Sequence, residues 1–245
     1  MKLLKPLAIA SAIFATMSGG VNAAELNKIG ISLGSMGNPF FVALAQGAEA
    51  KAKEINPNVE VLAMGYDYDL GKQFNQIDNF IAAGVDLILL NPGDPNAIAP
   101  AIKRAQKAGI KVVSVDTAAE GSDATVTTDN VSAGAVACKY IVEKLNGTGN
   151  VIIQNGPQVS AVIDRVNGCK EELAKAPGIK ILSDDQDGKG SRDGGMAVML
   201  GHLTRFAQID AVFTINDPQA IGTDLAAKQL KRNNIIITKG GLPIT

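Results

Sequence analysis

The sequence predicts an α/β fold of doubly wound parallel sheets divided into two lobes, on three observations. Nine short apolar, β-branched runs recur along the 245 residues. Most are separated by amphipathic stretches of helical period, and strand-helix alternation of this kind builds βαβ units with helices on both faces of a parallel sheet. One corner also occurs twice: "LILLNPGDPNAIAPAI" and "AVFTINDPQAIGTDLA" each end a strand on Asn and continue with Asp-Pro. A corner repeated in each half points to two similar lobes.

The chain opens with "MKLLKPLAIASAIFATMSGGVNAAE". Lys2 and Lys5 form a positive start, Leu7 to Met17 an apolar core, and "VNA" ending at Ala23 a small-x-small cleavage signal, so 1–23 read as a secretory signal peptide. A membrane anchor needs about 20 apolar residues, and Ser18, Gly19, Gly20 and Asn22 interrupt the run. No later segment is long and apolar enough to span a bilayer, so a soluble, exported protein is expected.

The first lobe is expected over 24–129. Its strands are "IGISL", "VEVLAM", "VDLILLN", "IKVVSVD" and "ATVTTD", with helices such as Gly71 to Ala83 and Ala97 to Lys107 between them. Asp94 and Asp217 are expected as helix N-caps, with Pro95 and Pro218 at the first helical position, where a missing N–H costs nothing. The boundary is placed near "TTDNVSAG", where a strand ends at Asp129 and Asn130 begins a helix. The second lobe, 130–245, then carries "NVIIQNG", "IKILSD", "AVFTIND" and "IIITK".

Only two cysteines occur, Cys138 and Cys169, in helical patterns on either side of "NVIIQNG". An oxidising compartment favours pairing them; two buried free thiols packed as small hydrophobes are the alternative. The single histidine, His202, has no ligand-spaced partner, so no metal centre is expected. The loop "DDQDGKG" (Asp184 to Gly190) lacks a calcium loop's third acidic ligand, and Met196 stands where the closing Glu belongs, so it reads as a surface turn. With no G-x-G-x-x-G, P-loop or G-x-S-x-G, neither an enzyme nor a cofactor is expected. At net charge -1 and with no basic patch, nucleic acid is not an expected partner.

Ligands of open parallel sheets sit beyond the carboxyl ends of the strands. The residues there are Asn38, Phe40 and Phe41 after the first strand, Asn91 after the third, Asp116 after the fourth, "NGPQ" after the sixth and Asn216 after the eighth. Amides and a carboxylate exchange hydrogen bonds with vicinal hydroxyls, while aromatic faces cover the C–H surface of a sugar ring. The chain has only seven Phe, so the adjacent pair stands out. Adjacent helical positions point about 100° apart, so at least one ring is expected to face the cleft.

From about Lys28 to Thr238, "NPFF", "FIAAGVDLILLNPGDP", "AIKRAQKAGIKVVSVD", "SAVIDRVNG" and "VFTINDPQAIG" occur in an order that resembles the periplasmic sugar-binding proteins of the ribose and galactose type. The resemblance implies the type I periplasmic binding protein fold: two lobes joined by a hinge, a monomer in the periplasm that closes over one monosaccharide or sugar alcohol and serves an ABC permease. It makes Asn38, Phe40, Phe41, Asp116 and Asn216 ligand contacts, with Asp116 the principal acceptor and Asp217 a helix cap only; Asn91, from its strand end, and Arg165, the matching second arginine of "SAVIDRVNG", complete the expected ligand-binding set. Signalling to a chemotaxis receptor is the alternative role, ahead of an exported enzyme.

Three departures shape the expectation. Thr117 follows Asp116 where the ribose-type pattern has Arg, and Ile163 replaces its ligand-binding Arg, which implies a less polar pocket and a different pentose, a hexose or a sugar alcohol. At Lys239 to Gly241 the chain has "KGG" where the pattern has a ligand-binding Asp. The fold is therefore expected to be C-terminally incomplete, the product of a truncated or frameshifted gene that binds weakly.

Overall fold

The computed structural model describes residues 26–240, so the expected signal peptide and Gly241 lie outside the described residues. Nine strands form at the nine apolar runs: β1 Lys28–Leu33, β2 Glu60–Gly65, β3 Leu87–Leu90, β4 Lys111–Val115, β5 Ala124–Val126, β6 Thr148–Gln154, β7 Gly178–Ser183, β8 Ala211–Thr214 and β9 Ile236–Lys239. Seven helices alternate with them: α1 Pro39–Ile55, α2 Leu70–Ala82, α3 Ala99–Lys107, α4 Asn130–Lys144, α5 Ser160–Leu173, α6 Arg192–Arg205 and α7 Asp217–Gln229. All strand pairings are parallel. One sheet has the order β2-β1-β3-β4-β5 and the other β7-β6-β8-β9.

The burial of each strand follows its place. Central β8 is buried along its whole length, whereas the edge strand β5 exposes all three residues. In the first sheet α1 covers one face, and α2 with α3 covers the other. In the second, α4 and α5 share one core and α6 with α7 the opposite one. Each sheet is thus sandwiched between helices, those of the second including α4 from the crossover between the sheets.

Two local expectations are corrected. The repeated corners are alike in sequence but not in capping. Asp94 accepts from Asn96 N (2.8 Å) and Ala97 N (2.7 Å), holding a separate turn, and α3 starts only at Ala99. The Pro92-Gly93 pair lengthens that corner and moves Asp94 away from the helix. At the second corner Asp217 is the first helical residue and Asn216 is the cap, its Oδ1 accepting from Gln219 N at 3.0 Å. The strand expected to reach Asp129 ends at Val126, and Asp129 caps α4 through Ser132 N at 3.0 Å.

Cys138 and Cys169 are bonded, with 5.1 Å between their Cα atoms, and cross-link α4 to α5. The free-thiol alternative is thereby excluded. The two helices can approach this closely because Gly134 and Gly168 face each other's backbone: a Cβ at Gly134 would fall on the Arg165 carbonyl, and one at Gly168 on that of Val131. Gly168→Ala must push rigid backbone apart, and overpacking of this kind costs about 1 to 3 kcal/mol. Urea unfolding is expected to show that loss as a lower midpoint at unchanged slope; an unchanged midpoint would mean the helices separate freely.

Candidate functional site

The strand order of each sheet reverses direction once, at β1/β3 in the first and at β6/β8 in the second. Loops diverge at such points and leave a crevice beyond the carboxyl ends. Both crevices open into one cavity of about 1000 Å³, and all seven residues expected in the ligand set line it: Asn38, Phe40, Phe41, Asn91 and Asp116 beside the first sheet, Arg165 and Asn216 beside the second.

Asn38 caps α1, its Oδ1 accepting from Phe40 N at 3.1 Å, and Pro39 follows in the first turn. That start sets the directions of the two rings. Phe41 is 4% exposed and belongs to the core under β1, while Phe40 is 51% exposed at the cavity. The rings meet edge to face at 5.3 Å, so the buried ring steadies the open one.

Asp116 is the first residue past β4, with φ at 65°, a left-handed conformation that Asp tolerates better than most residues. Its N–H donates to Val126 O at 2.8 Å and its carbonyl accepts from Thr127 Oγ1 at 2.6 Å, which pins the backbone and aims the carboxylate. Asn91 lies behind it, 1% exposed. Its Nδ2 faces Asp116 Oδ2 (3.1 Å), Thr117 Oγ1 (2.8 Å) and Val115 O (3.2 Å). These acceptors fix the amide orientation and leave Asn91 Oδ1 buried without a partner among the described residues. Burial raises the Asp116 carboxyl above the ordinary carboxylate range, opposed by the Arg165 guanidinium and the Asn91 amide.

Arg165 and Asn216 already have duties inside the second half. Arg165 Nε donates to Asn130 Oδ1 and Nη1 to Ile215 O, both at 2.8 Å, tying the start of α4 to the end of β8. Asn216 spends Oδ1 on its cap, and Nδ2 donates to Gly190 O at 3.0 Å. Ile163 does not line the cavity; Ala161 and Val162 do.

Sequence reasoning missed two groups. Lys189 and Gly190, expected in a surface turn, line the cavity together with Arg192. Lys189 N donates to Asp187 Oδ1 at 2.6 Å and Gly190 N to Gln219 Oε1 at 2.9 Å, which folds the loop back onto the site. From the first half, Asp67 and Tyr68 also line it. The signal available for both was a turn composition that says nothing about which side a loop faces. Beneath the site, a buried Gln serves each half: Gln73 joins Ser32 Oγ, Asn91 O and Gly93 N, and Gln219 joins Asn155 O and Gly190 N.

Residues 29–245 match the family described as "Periplasmic binding protein domain". The chain belongs to the periplasmic binding protein family. It is 33% identical over 213 residues to the ribose import binding protein of Bacillus subtilis, covering 85% of this chain and 68% of that protein. It is 31% identical over 217 residues to a xylitol-binding protein of Mycolicibacterium smegmatis, covering 87% of this chain and 61% of that one. A myo-inositol-bound Caulobacter myo-inositol binding protein superposes with TM-score 0.79 at 25% identity, covering 89% of this chain and 76% of the other. The type I fold and its sugar-binding branch are thus those the sequence resembles, the relatives are binding proteins rather than enzymes, and the family implies a periplasmic location.

Proposed function

We propose that this protein captures a monosaccharide or sugar alcohol between its two halves and delivers it, by hinge closure, to an ABC permease. The observation that carries the reading is Asp116: a carboxylate pinned by its own backbone in a cavity between the sheets, beside the exposed Phe40 ring. The relatives named for ribose and xylitol support a ligand of that size and chemistry. A ligand favours the closed form only by its differential affinity for it, so contacts from both halves are required. Asn38, Phe40, Asp116 and Arg165 are the residues placed to supply them.

A thermal-shift panel of D-ribose, D-allose, xylitol and myo-inositol on the 245-residue chain tests this. A sugar present at about a hundred times its Kd adds roughly 2.7 kcal/mol to folding stability, so at least one member is expected to raise the melting temperature by several degrees. A panel in which none does would overturn the carbohydrate reading.

A further inference from the structure

The connection from β2 to α2 contains two consecutive non-glycine residues in the left-handed region, Asp67 at φ 53° and Tyr68 at φ 59°. A bulky residue pays for that conformation, and such outliers persist only where the surroundings over-determine them. Here the surroundings do. Asp69 N donates to Tyr66 O at 2.9 Å, and Asp69 Oδ1 accepts from Lys72 N at 3.0 Å, so the loop is locked immediately before α2.

The strained loop directs the Tyr68 ring across the cavity. It packs against the core of the first half around β1 and also against the second-half core that includes Ile215. One glycine from each half makes room for it. A Cβ at Gly34 would come within 3.0 Å of Tyr68 Cε1, and one at Gly190 within 3.4 Å of the Tyr68 hydroxyl. Tyr66 backs the ring edge to face at 5.9 Å. Among the described residues the Tyr68 hydroxyl makes no hydrogen bond, although Asn216 Nδ2 approaches the same position at Gly190. Burial, then Asp116 from the first half and Asp187 from the second, pushes its pKa up to about 12, so it keeps its proton as a donor.

We propose that Tyr68 is a ligand-contacting, specificity-determining residue on which the two halves close: its hydroxyl donates to a hydroxyl of the bound sugar or polyol, and its ring is the seat of the second half. The role rests on the carbohydrate reading of the cleft. Carbohydrate hydroxyls would supply the acceptor that this donor lacks among the described residues, and Phe40 and Tyr68 would then offer aromatic surface from two separate loops.

Calorimetry with D-ribose, D-allose, xylitol and myo-inositol on the full chain, Tyr68→Phe and Tyr68→Ala tests the assignment. Tyr68→Phe keeps the ring, so the melting temperature of the free protein is expected to stay put while affinity for the bound panel member falls about 3- to 10-fold, the value of one neutral hydrogen bond. Tyr68→Ala loses the seat as well and is expected to bind at least about tenfold more weakly than Tyr68→Phe, since affinity falls with the closed fraction. Unchanged affinity in Tyr68→Phe, or equal affinity in the two variants, would overturn the proposal and leave the carbohydrate reading standing. Absence of binding by the unsubstituted chain would overturn both.

Discussion

Asp116→Asn is expected to weaken sugar binding by about 2 to 3 kcal/mol, or roughly 30- to 150-fold, while leaving the free protein as stable as before or more so. That loss is the difference between charged and neutral hydrogen bonds, about 1 to 1.5 kcal/mol each, for a carboxylate accepting from two hydroxyls. Asn is the informative replacement because it tolerates the φ of 65° that Ala would resist, and it can still meet the Asn91 amide. The stability half follows from the raised carboxyl pKa, whose first cause is burial. A carboxyl whose folded pKa lies above its unfolded value contributes stability below the unfolded pKa, and that contribution is lost as pH rises through the folded one. At neutral pH the charged Asp116 is therefore a cost that Asn removes. Sugar hydroxyls donating to Asp116 would favour the carboxylate, so binding is expected to release a proton, and affinity should fall as pH drops through the raised pKa of the free protein. Acidification within that window is expected to firm this group's contribution to folding while weakening binding. Calorimetry from neutral to acidic pH with a paired melting series checks both signs; an Asp116→Asn variant that binds as tightly as the parent would remove Asp116 from the site.

Much of this was legible in the chain. Short apolar, β-branched runs separated by helical stretches located all nine strands, because burial on both faces of a parallel sheet leaves a strong mark on composition. The strand-end rule then pointed to Asp116, Phe40 and Asn216, since a topological switch point fixes where a crevice opens whatever the side chains are. Less visible was what each residue does there. Asn91 and Asn216 read alike as Asn at a strand end, yet one supports a carboxylate and the other caps a helix, a difference decided by the Pro92-Gly93 insertion. That Tyr68, Lys189 and Gly190 belong to the site could not be read from the chain. Their place depends on left-handed backbone in two loops and on the approach of one half to the other, neither of which leaves a periodic trace.

Replacing both cysteines, Cys138→Ala with Cys169→Ala, is expected to cost about 3 to 4 kcal/mol of folding stability, a large share of the roughly 5 to 15 kcal/mol a domain possesses. The bond spans 31 residues, and a cross-link of that separation acts in the chain-entropy picture by restricting the unfolded ensemble. Freed of it, the unfolded chain expands and exposes more surface. Urea unfolding should then show a lower midpoint together with a steeper slope. Sugar affinity well below the melting temperature should change little, because other contacts hold the same helix pair. Gly134 and Gly168 keep α4 and α5 in backbone contact, and the bond from Arg165 Nε to Asn130 Oδ1 crosses between them at the cavity. Both cysteines are fully buried in the core around β6 and β8, so their removal leaves the cavity lining intact. A double variant that unfolds at the parent's midpoint would show that the cross-link contributes nothing to stability. One that stays folded but loses its sugar would show instead that the bond, rather than the glycine contact, positions Arg165.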